Sequence, residues 1–301
     1  MRQSNQILPG ERYLIINADD FGMDEGTNEK ILELLARDKV TSASVMMPAP
    51  YAKEAIEASR RLGLKQVGIH LTLTSDARQT YRPVVAALSR SCSFTTDEGT
   101  FFREVAAFEL RADPDEVAYE LEAQILLAIE LGLDPTHLDC HAGSLLGLST
   151  GRDLLDVVFE ASLKFGLPFN LPVGIIDQDF LSEEQRARFR SIFEVAVSRG
   201  LIFIDDIIAL PYCMGREIDY RDARDRVLEM IRRLRPGVTQ WTVHPSKLTD
   251  RLKGLTDCYR ERELEARLVQ DDAIRDALRE EGIRLLSWGA IRDKQREQSH
   301  R

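Results

Sequence analysis

A chain of 301 residues, 44% apolar and 30% charged, can bury a sizeable core and has the composition of an ordinary globular protein. With 50 acidic against 40 basic residues its formal net charge is −10, and no Lys/Arg block offsets it, so nucleic acid is not an expected partner. No apolar run approaches the roughly 18 residues that cross a bilayer, and the opening MRQSNQILPGERY has neither a basic n-region nor an apolar h-region. A cytoplasmic location with no membrane partner is therefore expected.

From the N-terminus, apolar strand-like runs alternate with charged helical stretches. YLIINADD leads into NEKILELLARDKV, SASVMMPA into YAKEAIEASRRLG, and QVGIHLTLT follows. In the stretch from Asp115, the residues Val117, Leu121, Ile125 and Ile129 recur every fourth position, giving one apolar stripe; Asp113-Pro114 supplies a start signal and Gly132 a stop. THLDCHAG comes next, then RDLLDVVFEASLKFG, PFNLPVG, EEQRARFRSIFEVAVSRG, FIDDIIAL, DARDRVLEMIRRLRPG and TQWTVHP. A long charged helix is expected from about Arg260 to Glu281, with its acid–base pairs on a solvated outer face, and IRLLSWG closes the series. Short uninterrupted apolar strands separated by helices call for parallel pairing through right-handed crossovers. Seven to eight such units fit a single-domain α/β fold, a (β/α) barrel over residues 13–292 with an N-terminal extension at 1–12 and a polar tail at 293–301; a doubly wound open sheet is the alternative, which periodicity does not separate from it.

The segment at about 76–112 breaks the rhythm. It carries Arg82-Pro83, serines from Ser89 to Ser93, Asp97-Glu98-Gly99 and the aromatics Tyr81, Phe94, Phe101 and Phe102. A loop this long is expected to be a lid-like insertion over a binding site. The cysteines Cys92, Cys140, Cys213 and Cys258 form no CxxC pair and are expected to be free thiols.

The chemistry is marked by histidine placement. Of five histidines, His300 lies in the polar tail. The other four, His70 in QVGIHL, His137 and His141 in THLDCHAG and His244 in WTVHP, each stand at or just past the end of an expected strand. So do Asp19 and Asp20, after LIIN. Each alone has a plain structural reading: a hydrogen-bonded histidine, or a helix-capping aspartate. In a parallel barrel, however, all these strand ends open on one face, where catalytic groups gather. Aspartate with two or three histidines in one mouth is a divalent-metal site. The donors suit zinc, and also manganese, cobalt or nickel. Successive strand residues point to opposite faces, so Asp19 and Asp20 can both reach the site only if the chain turns there, which Gly22 allows. One would then bind metal and the other take a proton from water.

At NADDFG, GIHLTL, THLDCH and VHP the chain resembles the YdjC-type carbohydrate deacetylases, the family of chitooligosaccharide deacetylase, from about Tyr13 to Trp288 and with the motifs in the same order. The resemblance implies a polysaccharide-deacetylase-like irregular barrel with one divalent metal ion, zinc or magnesium first, held by Asp20, His70 and His141. It also implies Asp19 as base, His244 as acid or substrate contact, and His137 with Asp139 behind the ligands fixing their orientation. The reaction implied is removal of an acetyl group from an N-acetylated sugar or related small carbohydrate. One departure is the continuation Ala142-Gly143-Ser144 after His141, where the chitooligosaccharide enzymes carry further histidines. Tyr81, Arg82, Phe101, Phe102 and Lys247 are the expected substrate contacts, while Trp241 and Trp288 are expected in the core. Two rival expectations are a metal-dependent phosphoesterase and a sugar-binding protein of the same fold without turnover. A homo-oligomer is compatible with the sequence.

Overall fold

The computed structural model describes residues 7–88, 92–213 and 219–299. Residues 1–6 of the extension, 89–91 of the 76–112 segment and 300–301 of the tail lie outside that description. In chain order the elements are β1 (Arg12–Phe21), α1 (Glu25–Ala36), β2 (Ser42–Val45), α2 (Ala52–Arg61), β3 (Val67–Leu71), α3 (Val105–Arg111), α4 (Pro114–Glu130) and β4 (Leu138–Cys140). They continue with α5 (Leu155–Phe165), α6 (Glu183–Ser198), β5 (Asp206–Ile208), α7 (Tyr220–Arg232), β6 (Gly237–Val243), α8 (Asp250–Leu255), α9 (Tyr259–Leu268), α10 (Asp272–Glu280), β7 (Arg284–Leu285) and α11 (Trp288–Ser299).

All pairings between these strands are parallel, in the order β4-β3-β2-β1-β6-β5, and β7 adds to the beginning of β1 beside Tyr13 and Leu14. The sheet curls into an irregular half-barrel. Between its outer strands, PFNLPVG does not form the strand its composition suggests: Pro168 and Pro172 lack the N–H that a ladder needs. Isolated bridges instead join Leu138 to Phe169 and Pro172 to Ile204, so this segment spans the side left open by the regular strands. Beneath the sheet, Leu14, Ile16, Ile69 and Leu138 belong to one large core, and Trp241 and Trp288 are fully buried.

Helix ends follow local chemistry. Asp113 accepts from the N–H groups of Asp115 and Glu116 with Pro114 following, and Ser182 with Gln185 forms a reciprocal capping box at α6. The same chemistry corrects the long C-terminal helix. Asp271 accepts from Ala273 N–H and starts a new helix, so α9 and α10 are separate. On α9, Arg262 and Glu265 are each only 3% exposed, which places part of the supposed solvated face in the interior.

Two further expectations are revised. The 76–112 segment is no bare loop: it contains α3, an antiparallel bridge between Thr95 and Phe101, and a buried aromatic group of Phe94, Phe101 and Phe108. Nor are all four cysteines free. Cys213 and Cys258, 45 positions apart, form a disulfide, leaving Cys92 and Cys140 as thiols. Sequence spacing carries no information about such a long-range pair. Among the described residues no helix is long and apolar enough to cross a membrane.

Candidate metal centre and active site

The site lies at the carboxyl ends of the strands. β1 ends in an irregularity: its register with β2 shifts between Ala18 and Phe21, and Asp20 has φ 64, in the left-handed region. Gly22 follows with φ 99, and a Cβ there would stand 2.9 Å from the Ala52 Cα. This bulged turn breaks the strand alternation, so the adjacent carboxylates of Asp19 and Asp20 both face the His70 imidazole. His70 on β3 is in register with Asp139 on β4, which puts the His70 Nδ1 2.7 Å from Asp139 Oδ1. His141 follows β4 directly, its ring edge-on to that of His70 at 5.4 Å.

Asp20, His70 and His141 present donor atoms that all lie within 4.8 Å of one another. Asp20 Oδ1 stands 3.5 Å from both His70 Nε2 and His141 Nδ1. Donors about 2.1 Å from a shared zinc ion would be spaced at roughly 3.4 Å in a tetrahedron. Asp20 Oδ1 is buried and accepts no hydrogen bond, an otherwise costly orphan that a cation would satisfy. Its other oxygen, Oδ2, accepts from Arg262 Nη2 at 2.6 Å. Burial alone would raise the Asp20 pKa; Arg262 and the neighbouring histidines outweigh it and hold the carboxyl well below its usual range.

Excess negative charge surrounds the histidines. Burial opposes protonation of His70, yet Asp139, Asp19 and Asp20 raise it to about 9; Asp76 and Asp20 overcome burial at His141 in the same way and raise it to about 10. A divalent cation would displace those protons and take over the same carboxylates. Two imidazoles and one carboxylate at this spacing are a donor set that fits a divalent metal ion.

Asp19 sits in a different environment. Asn17 Nδ2 donates to its Oδ1 at 2.7 Å, and it lies 8% exposed. Burial, then the charge of Asp139, pushes its carboxyl up to about 7 against the pull of His70 and His244. Asp139 itself is held low, because His70 and His137 outweigh its burial. Its Oδ2 accepts from Ser44 Oγ at 2.7 Å and Asn17 Nδ2 at 3.3 Å.

His137 lies fully buried behind this group, stacked on Trp288 at 4.9 Å, with Nε2 3.6 Å from Asp139 Oδ2. Desolvation lowers its pKa. Gly68 makes room for it, since a Cβ there would come within 2.2 Å of the ring. Cys140 has a thiol pushed up to about 12 by burial, so it is a poor source of thiolate for a metal.

Across the mouth, the His244 N–H donates to Glu265 Oε2 at 2.6 Å, with the ring Nδ1 3.6 Å from the same oxygen. Burial would lower His244, but Glu265, Asp20 and Asp19 raise it. Tyr212 packs its ring against His244 at 4.4 Å and accepts from Arg262 Nη2 at 2.7 Å. Neither Arg262, Glu265 nor Tyr212 is marked by a motif.

The expected substrate contacts do not gather in the same way. Tyr81 and Phe101 are each 1% exposed and offer no open ring face. Arg82 donates to the Glu98 carbonyl at 2.7 Å, Phe102 lies under the Arg111 guanidinium at 5.2 Å, and Lys247 pairs with Glu29. Asp76, unremarked in the sequence, does enter the site: its Oδ1 is 3.2 Å from His141 Nε2.

A curled parallel α/β sheet thus brings Asp20, His70 and His141, a group that could hold a metal ion, together with the Asp19 carboxyl at its strand ends. The comparisons narrow this further. The family model described as YdjC-like protein matches residues 13–280, and the chain belongs to that family. A Thermoanaerobacter pseudethanolicus protein named carbohydrate deacetylase is 27% identical, covering 93% of this chain and 100% of its own length. An Enterococcus faecalis protein of the same name is 26% identical, with 93% and 98% covered. A solved structure from Enterococcus faecalis V583, named for cellobiose-phosphate cleavage, superposes with a TM-score of 0.74 at 24% identity, covering 93% of this chain and 99% of that one. That likeness shows the same fold.

Proposed function

We propose that this protein is a metal-dependent amide hydrolase that removes the acetyl group from an N-acetylated sugar or a related small carbohydrate. The observation carrying the reading is the orphaned Asp20 Oδ1 set 3.5 Å from two imidazole nitrogens, with the raised carboxyl of Asp19 nearby. The family and the names of the two full-length relatives support the substrate class.

Asp20, His70 and His141 would hold one divalent ion, zinc or magnesium first among the candidates. When bound, it supplies a Lewis acid for the amide carbonyl and positive charge for the oxygen that becomes anionic. Arg262 fixes Asp20 by its second oxygen, so the first stays free for the ion. Asp139, hydrogen-bonded to Nδ1 of His70, sets the tautomer that leaves Nε2 as donor. Asp19, oriented by Asn17, takes the proton of the attacking water. His244, whose pKa Glu265 and the aspartates raise against burial, returns a proton to the departing amine. Burial of the carboxylates keeps these electrostatic interactions strong.

A phosphoesterase would want free cations for the phosphate. Lys247 and Arg82, the cations expected for that role, are engaged by Glu29 and the Glu98 carbonyl. Intact Asp19 likewise favours turnover over a sugar-binding role. The test is acetate release from a panel of N-acetylated sugars and diacetylated disaccharides after metal reconstitution, beside a phosphate-ester panel. Acetate release that disappears in Asp20→Ala supports the assignment; phosphate release alone, or none from either panel, contradicts it.

A further inference from the structure

The two histidines of the metal centre are supported differently. His70 leans on Asp139, a neighbour in the sheet whose place follows from strand register. His141 leans on Asp76, which comes from the turn after β3 and belongs to no motif. Asp76 Oδ1 lies 3.2 Å from His141 Nε2, while the other ring nitrogen, Nδ1, lies 3.5 Å from Asp20 Oδ1. Asp76 Oδ2 accepts from the Tyr81 hydroxyl at 2.7 Å. The Tyr81 ring also stands edge-on to His141, with centroids 6.3 Å apart.

A short aspartate after a strand is ordinarily explained by capping or turn formation. Here the turn closes through the backbone, Asp76 N–H donating to the Gln79 carbonyl at 2.9 Å, and the side chain meets an imidazole and a phenol instead. The turn is also braced. Gln79 Nε2 donates to the Met23 carbonyl at 3.1 Å, Arg103 Nε to the Asp76 carbonyl at 3.2 Å, and Ser75 N–H to the Phe102 carbonyl at 2.8 Å. A carboxylate so fixed can hold an imidazole in one orientation.

We propose that Asp76 is the positioning residue of His141, holding Nε2 so that Nδ1 stays turned toward the cation position beside Asp20, with Tyr81 fixing Asp76 from behind. This rests on the reading of Asp20, His70 and His141 as a cation site. It gives Tyr81, a poor sugar platform because it is buried, a structural task within the same centre. It also links cation affinity to the 76–81 turn, and so to the segment running on to residue 112.

The test is titration of metal-free protein with cobalt(II), followed by calorimetry and visible absorption, for wild type, Asp76→Ala, Asp76→Asn and Tyr81→Phe. Loss of such a carboxylate partner typically weakens affinity about 10- to 100-fold, and Asp76→Ala is expected in that range with a changed cobalt spectrum. Asp76→Asn, which keeps the shape and an acceptor for Tyr81, should fall between it and wild type, and Tyr81→Phe should shift affinity least, in the same direction. Melting of each metal-free variant separates positioning from loss of fold: a lowered melting temperature with unchanged cobalt affinity and spectrum would overturn the proposal. Wild-type binding matched by Asp76→Ala would overturn it alone. No cobalt binding by wild type would instead overturn the site reading, and the proposal with it.

Discussion

On the β1–β4 side of the mouth, Asp19, Asp20, His70 and Asp139 stand on strands and His141 directly follows one, so the sheet sets their positions. On the β6 side, only His244 follows a strand; its partners Glu265 and Arg262 come from α9, and Tyr212 from the stretch after β5 that a disulfide ties to the start of α9. The first half is a rigid donor array, the second a helix and a loop brought up against it. The contrast teaches that the sheet can gather one half of a site at its strand ends, with Asp139 and Asp19 among the groups that raise His70, while Arg262 and Glu265 act on Asp20 and His244 from a helix that strand register does not place.

Removal of the base should show the largest effect. Asp19→Asn is expected to lower kcat by about 10²- to 10⁴-fold, the usual contribution of general-base catalysis, with metal affinity nearly intact. Equal losses of metal and of kcat would mean that Asp19 is itself a ligand. The pH profile sharpens this. Asp19 must be ionised to take a proton, and its carboxyl lies up at about 7 in the metal-free site. A cation nearby stabilises the anion and lowers that value, so kcat/KM should rise with pH along a limb at or below about 7; a limb clearly above it would exclude Asp19.

Breaking the link between the halves comes next. Arg262 and Asp20 are both buried, and removing one member of such a pair typically costs about 3–5 kcal/mol. Arg262→Met should therefore lower the urea midpoint of the metal-free protein, with partial recovery when the ion is added. Recovery beyond the wild-type level would show that the guanidinium opposes the cation more than it orders Asp20.

The disulfide should matter somewhat less. It closes 45 positions of chain, and such a bridge contributes about 2–4 kcal/mol. Cys258→Ser should lower the urea midpoint as reductant does in the wild type, and reductant should add nothing further to the variant. Thiol titration of unfolded protein should find Cys92 and Cys140 without reductant and all four cysteines with it. Equal thiol counts in both conditions would remove the covalent tie on the β6 side.

The same contrast explains what was legible in the sequence. Strand ends at NADD, GIHL, THLDCH and WTVHP announce themselves, because apolar runs stop at polar residues and a parallel sheet sends all those ends to one face. The bulge could be anticipated from Gly22, but the left-handed φ falls on Asp20 instead of being left to the glycine alone. Arg262 and Glu265 were hidden in a helix read as solvated, since charge on a helix does not reveal which charged residue turns inward. Asp76 lay hidden in a segment whose composition suggested a loop, because its pairing with His141 crosses 65 positions. Tyr81 and Phe101 were misplaced for a related reason: an aromatic residue among polar neighbours reads as exposed, yet here both rings are buried and join the large core beneath the sheet.

The most direct measurement is acetate release from an N-acetylated sugar by chelator-treated protein before and after a divalent ion is restored. The Asp20, His70 and His141 centre predicts activity absent in the stripped protein, recovered with the ion, and not recovered in Asp20→Ala. Undiminished turnover in fully stripped protein, or recovery in Asp20→Ala equal to wild type, would contradict it.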